Sequence, residues 1–402
     1  MGCKSKRNKN FTNYFELEKE NIFQIYKRNP VLFVRGRGKY LWDDKGKKYL
    51  DFFSGISVSS VGHCHPKIVK AIKTQSGKLI HASNLYYTTP QIELAQALSD
   101  LSLGGKVFFS NSGAEANECA IKLARKFGNK SGKYEIIAFK NSFHGRTLAT
   151  LSATGQKKFH EGFAPLLGGF KFAEFNNLCS VEKLISQKTC AIIVEPIQGE
   201  GGVYPAKKNF LKGLRDSCNK NKLLLIFDEI QCGLGRTGKI LAFKNYGVVP
   251  DILTLAKSLG GGLPVAATIA KNKVAETFGF GDHGSTFGGN PVCCAAAVEV
   301  LKIVSDKKLL KNVEEVGNYF MSELRKLQKK YDVIKDVRGL ALMLGAELKI
   351  SGKEIVNKCL QKGLLINCTQ DTVLRFLPPL NINKKDVDTA VSILADILKN
   401  YR

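Results

Sequence analysis

The chain lacks the features that mark membrane, secreted and zinc-binding proteins. Across its 402 residues, no apolar run approaches the roughly 18 residues that a transmembrane helix needs. No secretory hydrophobic segment follows the first residues. The 11 cysteines contain no Cys-x-x-Cys pair, which argues against a disulfide framework and a thiolate zinc site. We therefore expect reduced thiols in a cytoplasmic protein with no membrane partner.

The start of the chain, MGCKSKRNKN, is basic and carries Gly2 and Cys3, which are residue types found at acylation sites. Myristoylation requires serine or threonine at position 6, where this chain has Lys6. Ser5 lies one place too early for that pattern. We therefore interpret the stretch as a basic tail and expect no lipid anchor.

Acidic residues are scarce, with 35 Asp and Glu against 61 Lys and Arg, a formal net charge of +26. Such a charge makes nucleic acid a candidate partner. The lysines are spread along the chain, however, and no aromatic RNA-binding motif or zinc finger occurs. We expect no nucleic-acid partner, and the charge is compatible with anionic substrates and a phosphorylated cofactor.

Between about residues 65 and 300, short apolar runs alternate with segments of helical length. Nearly continuous apolar runs are typical of strands buried on both faces of a parallel sheet. The clearest examples are KVFFS, YEIIAF, CAIIVE and LLLIFDE. The alternation predicts an α/β domain with a mostly parallel sheet flanked by helices.

The two ends of the chain differ from this central pattern. The N-terminal segment, residues 1–60, contains the strand–turn–strand pattern KYLWD, DKGK, KYLDF. The C-terminal segment, residues 301–402, begins with an amphipathic helix and continues with two strand-like runs and two helices. We predict a large domain over 61–300 and a small α+β domain over 301–402, to which the N-terminal segment contributes.

One motif favours a nucleotide hydrolase. The run LLLIFDE resembles a Walker B strand, and GLGRTGK (233–239) nearly matches a phosphate-binding P-loop. Ile240 stands where the magnesium-binding hydroxyl is required. A P-loop must also follow its own strand, and the glycine run begins too soon after Glu229 for a second strand to lie between them. We therefore do not favour this alternative.

The stretch GHCHP brings three residues of metal-ligating types together: His63, Cys64 and His65. A structural zinc site needs a fourth ligand, and a catalytic site needs three plus an open position. No further ligand is placed with these three, so we expect no metal site.

A lysine stands between an apolar run and three glycines in LTLAKSLGGGLP (253–264). Burial disfavours the cation, so Lys257 in an apolar pocket becomes a nucleophile toward carbonyl carbons. Asp228 ends a buried strand, at the sheet edge where α/β proteins bind ligands. A Schiff-base lysine with an aspartate on a pyridinium nitrogen is the pyridoxal-phosphate arrangement. The pair alone leaves open a structural carboxylate and a lysine at a helix start.

A possible phosphate site lies in FFSNSGAEANECAIKLAR (108–125), which predicts a strand, a turn and a helix. The first backbone N–H groups of a helix have no partner within it and form an anion site. Ser112 and the amides of Gly113 and Ala114 are the candidate phosphate donors. A simple capped turn is the alternative.

Taken together, eight motifs in sequence order resemble those of the class III, fold-type I aminotransferases, closest to the acetylornithine aminotransferase family. They span nearly the whole chain, which makes the resemblance specific. The motifs are LDFFSGISVSSVGHCHP (50–66), NSGAEANECAIKLAR (111–125), FHGRTLATLSATGQ (143–156), EPIQGEGGV (195–203), DEIQCGLGRTG (228–238), TLAKSLGGGLP (254–264), HGSTFGGNP (283–291) and RFLPPL (375–380).

The resemblance implies pyridoxal 5'-phosphate as the cofactor and assigns residues to its ring. It implies that Lys257 binds the cofactor covalently and moves the proton during catalysis. It implies that Asp228 holds the ring nitrogen, that Gln231 supports the phenolic oxygen and that Phe143 stacks on the ring face.

The resemblance also implies how the cofactor phosphate is held. Ser112, Gly113 and Ala114 would bind it from one subunit. Thr286 would reach it from the other subunit, which implies an obligate homodimer with the active site at the interface.

The resemblance assigns further residues to the substrates. Arg375 would bind the α-carboxylate, for which a guanidinium is suited. Glu200 would pair with Arg375 and move away when 2-oxoglutarate needs that arginine. Arg146 and Ser285 would contact the substrate, and Glu195 would give structural support.

The expected reaction is transfer of the δ-amino group of N2-acetylornithine to 2-oxoglutarate, a step of arginine biosynthesis. Ornithine aminotransferases carry a tyrosine, which contacts the ornithine α-carboxylate, where Ile56 stands here. With the segment SNLYYTTPQ (83–91), this difference favours the acetylated donor. Ornithine, 4-aminobutyrate, succinylornithine and succinyl-diaminopimelate remain alternative amino donors.

Overall fold

A computed structural model describes residues 14–401 of the chain. The basic stretch at the start, and with it the interpretation of Gly2 and Cys3, lies outside the described residues. Among the residues that are described, no helix has both the length and the apolar character needed to cross a membrane. All cysteines within this part of the chain are free thiols.

The α-helices flank the sheets. In chain order they are α1 Tyr14–Asn21, α2 Ser54–Ser57, α3 Pro66–Ser76, α4 Thr89–Leu101, α5 Gly113–Asn129, α6 Leu148–Ala153, α7 Leu178–Glu182, α8 Lys208–Asn221, α9 Asn272–Ala275, α10 Pro291–Val304, α11 Lys307–Lys330, α12 Lys353–Gln361 and α13 Lys384–Leu398.

The strands are short, and most have the apolar sequences expected of buried strands. In chain order they are β1 Phe33–Arg37, β2 Tyr40–Asp43, β3 Lys48–Asp51, β4 Lys106–Ser110, β5 Glu135–Phe139, β6 Phe170–Ala173, β7 Thr189–Val194, β8 Ile197–Gln198, β9 Tyr204–Pro205, β10 Leu224–Asp228, β11 Ile252–Leu255, β12 Ala266–Ala270, β13 Ile334–Leu340, β14 Met343–Leu348, β15 Leu364–Leu365, β16 Asn367–Thr369 and β17 Val373–Phe376.

The centre of the molecule is a seven-stranded sheet with the strand order β4-β12-β11-β10-β7-β5-β6. Only β12 runs against the others, because it pairs antiparallel with both β4 and β11. The remaining pairs are parallel. The predicted mostly parallel α/β sheet is therefore present, and the four apolar runs noted in the sequence supply four of its seven strands, β4, β5, β7 and β10.

The two faces of this sheet explain why those runs are continuously apolar. Along β10, Leu225 and Phe227 belong to one buried cluster, and Leu224 and Ile226 belong to another. Successive side chains of a strand point to opposite faces, and here α8 and α10 cover one face and α5 the other. Fully burying such a side chain contributes about 1.5–3 kcal/mol, which favours apolar residues at the interior positions of β10.

Strands from the two ends of the chain pair with each other. β15 pairs parallel with β3 and completes the sheet β1-β2-β3-β15. A second sheet, β13-β14-β17-β16, is formed by the C-terminal part alone. The N-terminal meander thus lies against the C-terminal segment, although the exact domain boundaries stay a prediction.

The P-loop-like segment ties these parts together. Residues 233–239 form turns and do not open an α-helix, as a P-loop must. Arg236 is completely buried, and its guanidinium donates hydrogen bonds to Ser57 Oγ at 3.0 Å and Ser60 Oγ at 2.9 Å. It also donates to the carbonyl of Leu342 at 3.1 Å. The segment therefore joins the N-terminal and C-terminal parts.

Candidate active site

A cavity of about 240 Å³ opens at the carboxyl edge of the central sheet. Its lining residues end or follow β4, β5, β7, β10 and β11, which all run in one direction. Loops from parallel strands converge at this edge, where α/β sheets bind ligands. The lining residues are Gly113, Ala114, Phe143, His144, Gly145, Arg146, Glu195, Asp228, Ile230, Gln231 and Lys257.

Lys257 lies just after β11, in a 3₁₀ turn over Lys257–Gly260. Its φ of 41° lies in the left-handed region, which residues with side chains rarely adopt and which is typical of active sites. Burial lowers the pKa of its amine, against the opposing charges of Glu200 and Asp228. The amine is therefore closer to its neutral, nucleophilic form than that of a surface lysine.

Packing requires glycine at position 261, in the glycine run that follows Lys257. Gly261 has a φ of 58°. A Cβ atom there would lie 2.7 Å from the Ile68 side chain on α3 and 3.0 Å from the Val300 side chain on α10. Close contact with these two helices accounts for glycine at position 261.

Asp228 is buried at the end of β10 and is held from two sides. Its Oδ2 accepts hydrogen bonds from His144 Nδ1 and Asn117 Nδ2, both at 2.8 Å. Thr254 Oγ1 donates to Asn117 Oδ1 at 2.9 Å and orients that amide. Burial acts to lower the pKa of His144, but the hydrogen bond and charge of Asp228 outweigh it and raise that pKa.

Helix α5 begins at the cavity with a capping box. Ser112 Oγ accepts a hydrogen bond from the Glu115 amide at 3.3 Å, and the Glu115 carboxylate accepts one from the Ser112 amide at 2.8 Å. The amides of Gly113 and Ala114 are the first of the helix and have no carbonyl one turn earlier within it. Of the three predicted phosphate-binding residues, Gly113 and Ala114 line the cavity, and Ser112 caps the helix.

The loop after β5 supplies an aromatic ring and a guanidinium. The Phe143 amide donates to Glu195 Oε2 at 3.1 Å, so Glu195 holds this loop in place. Burial, the largest cause, raises the pKa of Glu195 to about 7. The Arg146 guanidinium lies 4.0 Å from the Phe159 ring centroid, a cation–π contact that orients it beside the cavity.

Arg375 is buried on β17 and joined to the cavity through Gln231. Its Nη1 donates to Glu200 Oε1 at 2.6 Å and to Gln231 Oε1 at 3.1 Å. Its Nε donates to Asn367 Oδ1 at 3.2 Å. Burial acts to raise the pKa of Glu200, but the charge of Arg375 outweighs it and lowers that pKa. The structure thus contains the predicted Glu200–Arg375 pair.

Five predicted residues are outside the lining of this cavity: Ser112, Glu200 and Arg375, whose contacts are given above, and Ser285 and Thr286. Ser285 Oγ accepts hydrogen bonds from Asn111 Nδ2 at 3.2 Å and from the Gly288 amide at 3.0 Å. Thr286 is exposed, and neither residue is part of the lining.

Comparison with known proteins assigns the chain to a family. The family model described as aminotransferase class-III matches residues 24–398. The chain is a class-III aminotransferase. The acetylornithine aminotransferase of Methanocaldococcus jannaschii is 53% identical to it over 395 residues, which cover 97% of this chain and 99% of that protein.

Two further proteins are similar to this class-III aminotransferase. The succinylornithine transaminase of Yersinia pseudotuberculosis is 46% identical over 389 residues, 94% of each chain. Among solved structures, the ornithine aminotransferase of Toxoplasma gondii superposes with a TM-score of 0.93 at 34% identity, covering 97% of this chain and 95% of that one. The predictions of fold-type I architecture, transaminase activity and a pyridoxal-phosphate cofactor are confirmed.

The cavity residues of this aminotransferase fit pyridoxal phosphate. The cofactor has an aldehyde, a ring nitrogen, a phosphate and an aromatic face. The cavity offers an amine at Lys257, a carboxylate at Asp228, the first amides of α5 and the Phe143 ring. Each group of the cofactor thus has a chemical counterpart among the lining residues.

Two residues that orient the site were missed in the sequence. His144 and Asn117 lie within the quoted motifs, but nothing local marks them as partners of Asp228. The position of His144 directly after Phe143 was the one available signal, because neighbours of a ring-stacking residue lie near the cofactor.

One of the two histidines of GHCHP, His63, has a structural role. His63 Nε2 lies 2.7 Å from Asp51 Oδ2, in a hydrogen bond between β3 and the loop before α3. Within residues 14–401, no three His, Cys, Asp or Glu side chains are grouped so that they could hold a metal ion.

Proposed function

We propose that this class-III aminotransferase transfers the δ-amino group of N2-acetylornithine to 2-oxoglutarate, giving N-acetylglutamate 5-semialdehyde and glutamate. The observation that carries the proposal is the Arg375–Glu200 pair beside the cavity that contains Lys257 and Asp228. An arginine masked by an acidic side chain suits an enzyme that alternates between a donor and a dicarboxylate acceptor. The 53% identity to an acetylornithine aminotransferase supports the donor.

Lys257 and Asp228 carry the chemistry in this proposal. Bound pyridoxal phosphate supplies an aldehyde that accepts the amino group and a ring that withdraws electrons. Lys257 would hold that aldehyde and, once released, would take the proton from the substrate carbon and give it back. Its lowered pKa suits both roles, because a neutral amine is needed to bind the aldehyde and to take up the substrate proton, and the resulting ammonium group can then return that proton. Asp228, fixed by His144 and Asn117, holds the proton at the ring nitrogen.

The other cavity residues position the cofactor. The amides of Gly113 and Ala114 bind the phosphate at the start of α5. Phe143 would lie against the ring, and Glu195 accepts a hydrogen bond from the Phe143 amide. Gln231 supports the phenolic oxygen, while its side-chain oxygen also accepts a hydrogen bond from Arg375.

Carboxylate recognition separates the two halves of the reaction. With the amino donor bound, Glu200 neutralises Arg375. When 2-oxoglutarate enters, Glu200 moves away and Arg375 binds the carboxylate with paired hydrogen bonds. Arg146, exposed at the mouth of the cavity, contacts the substrate, and Ser285 is proposed to do so as well. Such alternation gives ping-pong kinetics.

The donor is an α-N-acylated amino acid in this proposal. Acetylation delocalises the lone pair of the α-nitrogen into an amide, so only the δ-amino group would be a nucleophile toward the cofactor's aldehyde. Ile56 packs against an apolar cluster that includes Val203 and Met343. It offers no hydroxyl to a free α-carboxylate, where ornithine aminotransferases carry a tyrosine.

The donor is tested by adding amines singly to the holoenzyme. N2-acetylornithine should discharge the visible absorbance of the bound cofactor at low concentration, whereas ornithine and 4-aminobutyrate should need much more. Ile56→Tyr should raise kcat/KM for ornithine about tenfold, the value of one hydrogen bond to a charged group. Ile56→Phe, with the same bulk and no hydroxyl, is the control. If the wild-type enzyme prefers ornithine or succinylornithine, the proposed donor is wrong.

A homodimer completes the site in this proposal. Ile80, Leu85, Tyr86, Tyr87 and Phe287 form an exposed set of large apolar side chains, here called the apolar face, in which Tyr87 is 95% exposed. Its two segments are joined because Asn84 Nδ2 donates to the carbonyls of Ser285 and Gly288 at 2.9 and 2.8 Å. Patches of this kind mark protein interfaces. Thr286 lies next to Phe287 of this face. A partner subunit bound to the face would therefore contact Thr286.

The dimer predicts the effect of placing a charge in the apolar face. Tyr87→Asp should convert a particle of twice the 44.2 kDa chain mass into a monomer, because a carboxylate would be buried at the interface. Cofactor affinity should fall with it, since Thr286 no longer reaches the partner's site. Light scattering after gel filtration measures the mass. Val249→Asp, at an exposed apolar residue outside this face, should stay dimeric; a monomeric wild type would contradict the proposal.

The division of the chain into an N-terminal segment (1–60), a large domain (61–300) and a small domain (301–402) is also a proposal. It is supported by the pairing of β15 with β3, which places the N-terminal meander beside the C-terminal segment. A cytoplasmic location also stays a prediction.

A further inference from the structure

The backbone of Glu200 is held by the same hairpin that carries Arg375. Glu200 lies in the loop between β8 and β9. Its carbonyl accepts hydrogen bonds from Thr369 Oγ1 at 2.6 Å and from Gln370 Nε2 at 2.7 Å. Both donors lie where β16 turns into β17, and β17 carries Arg375. One hairpin therefore contacts both the carboxylate and the backbone of Glu200.

Gln370 occupies a position that favours glycine. Its φ is 50°, in the left-handed region where a side chain is costly. Its amide nevertheless makes a second contact, because it donates to Gln156 Oε1 at 2.8 Å. Gln156 in turn donates to the carbonyl of Ser142 at 3.1 Å, next to Phe143. Gln370 thus links the Glu200 loop to the loop that lies against the cofactor ring.

We propose that Thr369 and Gln370 are positioning residues that keep Glu200 within reach of Arg375, and so set how readily a dicarboxylate displaces it. The inference rests on the proposed function, in which Glu200 and the acceptor compete for Arg375. In the paired state, the Glu200 carboxylate must meet a buried guanidinium at 2.6 Å, so the position of its backbone matters. In the open state, the side chain has no such fixed partner and gains less from an anchored backbone.

Loss of either hydrogen bond therefore weakens the paired state more than the open state. The apparent dissociation constant of an acceptor equals the intrinsic constant divided by the open fraction of the enzyme. Opening the pair should thus tighten dicarboxylate binding. The expected change is about threefold to tenfold, which corresponds to one hydrogen bond.

The hairpin offers matched variants for the test. Gln370→Gly removes the amide and relieves the left-handed backbone. Thr369→Val removes the hydroxyl at nearly constant shape, and Thr369→Ser retains it. Asp371→Gly is the control, because Asp371 is also left-handed, with φ 62°, but its side chain pairs with Lys353 at 2.7 Å.

The probe is glutarate, a dicarboxylate without a reactive carbonyl, titrated into each pyridoxal-phosphate holoenzyme by calorimetry. We expect its Kd to fall about threefold to tenfold in Gln370→Gly and Thr369→Val and to stay within about twofold in the other two variants. Single-turnover rates with the amino donor should stay near wild type. A Kd that is unchanged or raised, or equal losses in both half-reactions, would overturn the proposal.

The same titration separates this inference from the proposed function. If the wild type binds glutarate but rejects N2-acetylornithine, the proposed donor is wrong, while the comparison among the variants still tests the positioning residues. If the wild type binds no glutarate, Arg375 is not the acceptor site, and both proposals fail.

Discussion

Lys257→Ala should abolish the visible absorbance of the bound cofactor and lower kcat by about 10³- to 10⁴-fold, the upper range for loss of a general base. The loss is large because one side chain both binds the aldehyde and moves the substrate proton. No other lysine lines the cavity formed by the described residues. Absorbance spectra with added pyridoxal phosphate and steady-state rates with N2-acetylornithine and 2-oxoglutarate measure the two effects.

Lys239→Ala is the control for loss of a lysine in general. Lys239 is partly exposed and pairs with Glu314 at 2.8 Å, away from the cavity. This variant should keep the absorbance band and the wild-type rate. A Lys257→Ala enzyme that retained both would show that another group carries the chemistry.

Asp228→Asn should lower kcat by about 10²- to 10³-fold, the usual cost of removing one electrostatic contact to the reacting system. An amide has nearly the same shape but cannot hold the proton at the cofactor's ring nitrogen. The change should also lower the pKa of His144, because the carboxylate that raises it is gone. Steady-state rates and NMR titration of labelled histidine test both consequences.

Asp251→Asn is the matched control for Asp228→Asn. Asp251 lies next to β11 and accepts hydrogen bonds from Arg215 Nη1 at 2.7 Å and Lys271 Nζ at 2.8 Å, so it is structural. Its replacement should lower stability and leave turnover and the His144 titration near wild type. Equal losses of turnover in the two variants would mean that Asp228 acts only through folding.

Much of the fold was predictable because its signals are local. Runs such as CAIIVE and LLLIFDE are apolar at every position, and strands β7 and β10 follow from that pattern with both faces buried. Helices such as α5 and α11 have their start signals and apolar periodicity within one segment. Asp228 and Lys257 were found for the same reason, since each ends or follows an apolar run at the ligand-binding edge.

Other parts of the site had no local signal. His144 and Asn117 meet Asp228 only because β5, β10 and α5 converge, and their sequence separations from it are 84 and 111 residues. Gln370 was unremarkable in the sequence, since its left-handed backbone and its contact with Glu200 arise from the hairpin. Ser285 and Thr286 are not among the residues that line the cavity, so the role proposed for Thr286 depends on the proposed homodimer.

The aminotransferase activity was implied by the resemblance of eight motifs, whereas the order of apolar runs was enough to predict the mostly parallel α/β domain and to place Asp228 and Lys257 at its ligand-binding edge. Those features follow from burial and strand periodicity, which act between near neighbours. The folded chain decided how Asp228 is oriented and how Arg375 is masked, since the Arg375–Glu200 contact joins residues 175 positions apart. Such contacts depend on hydrogen-bond geometry between distant segments, which neither composition nor periodicity encodes.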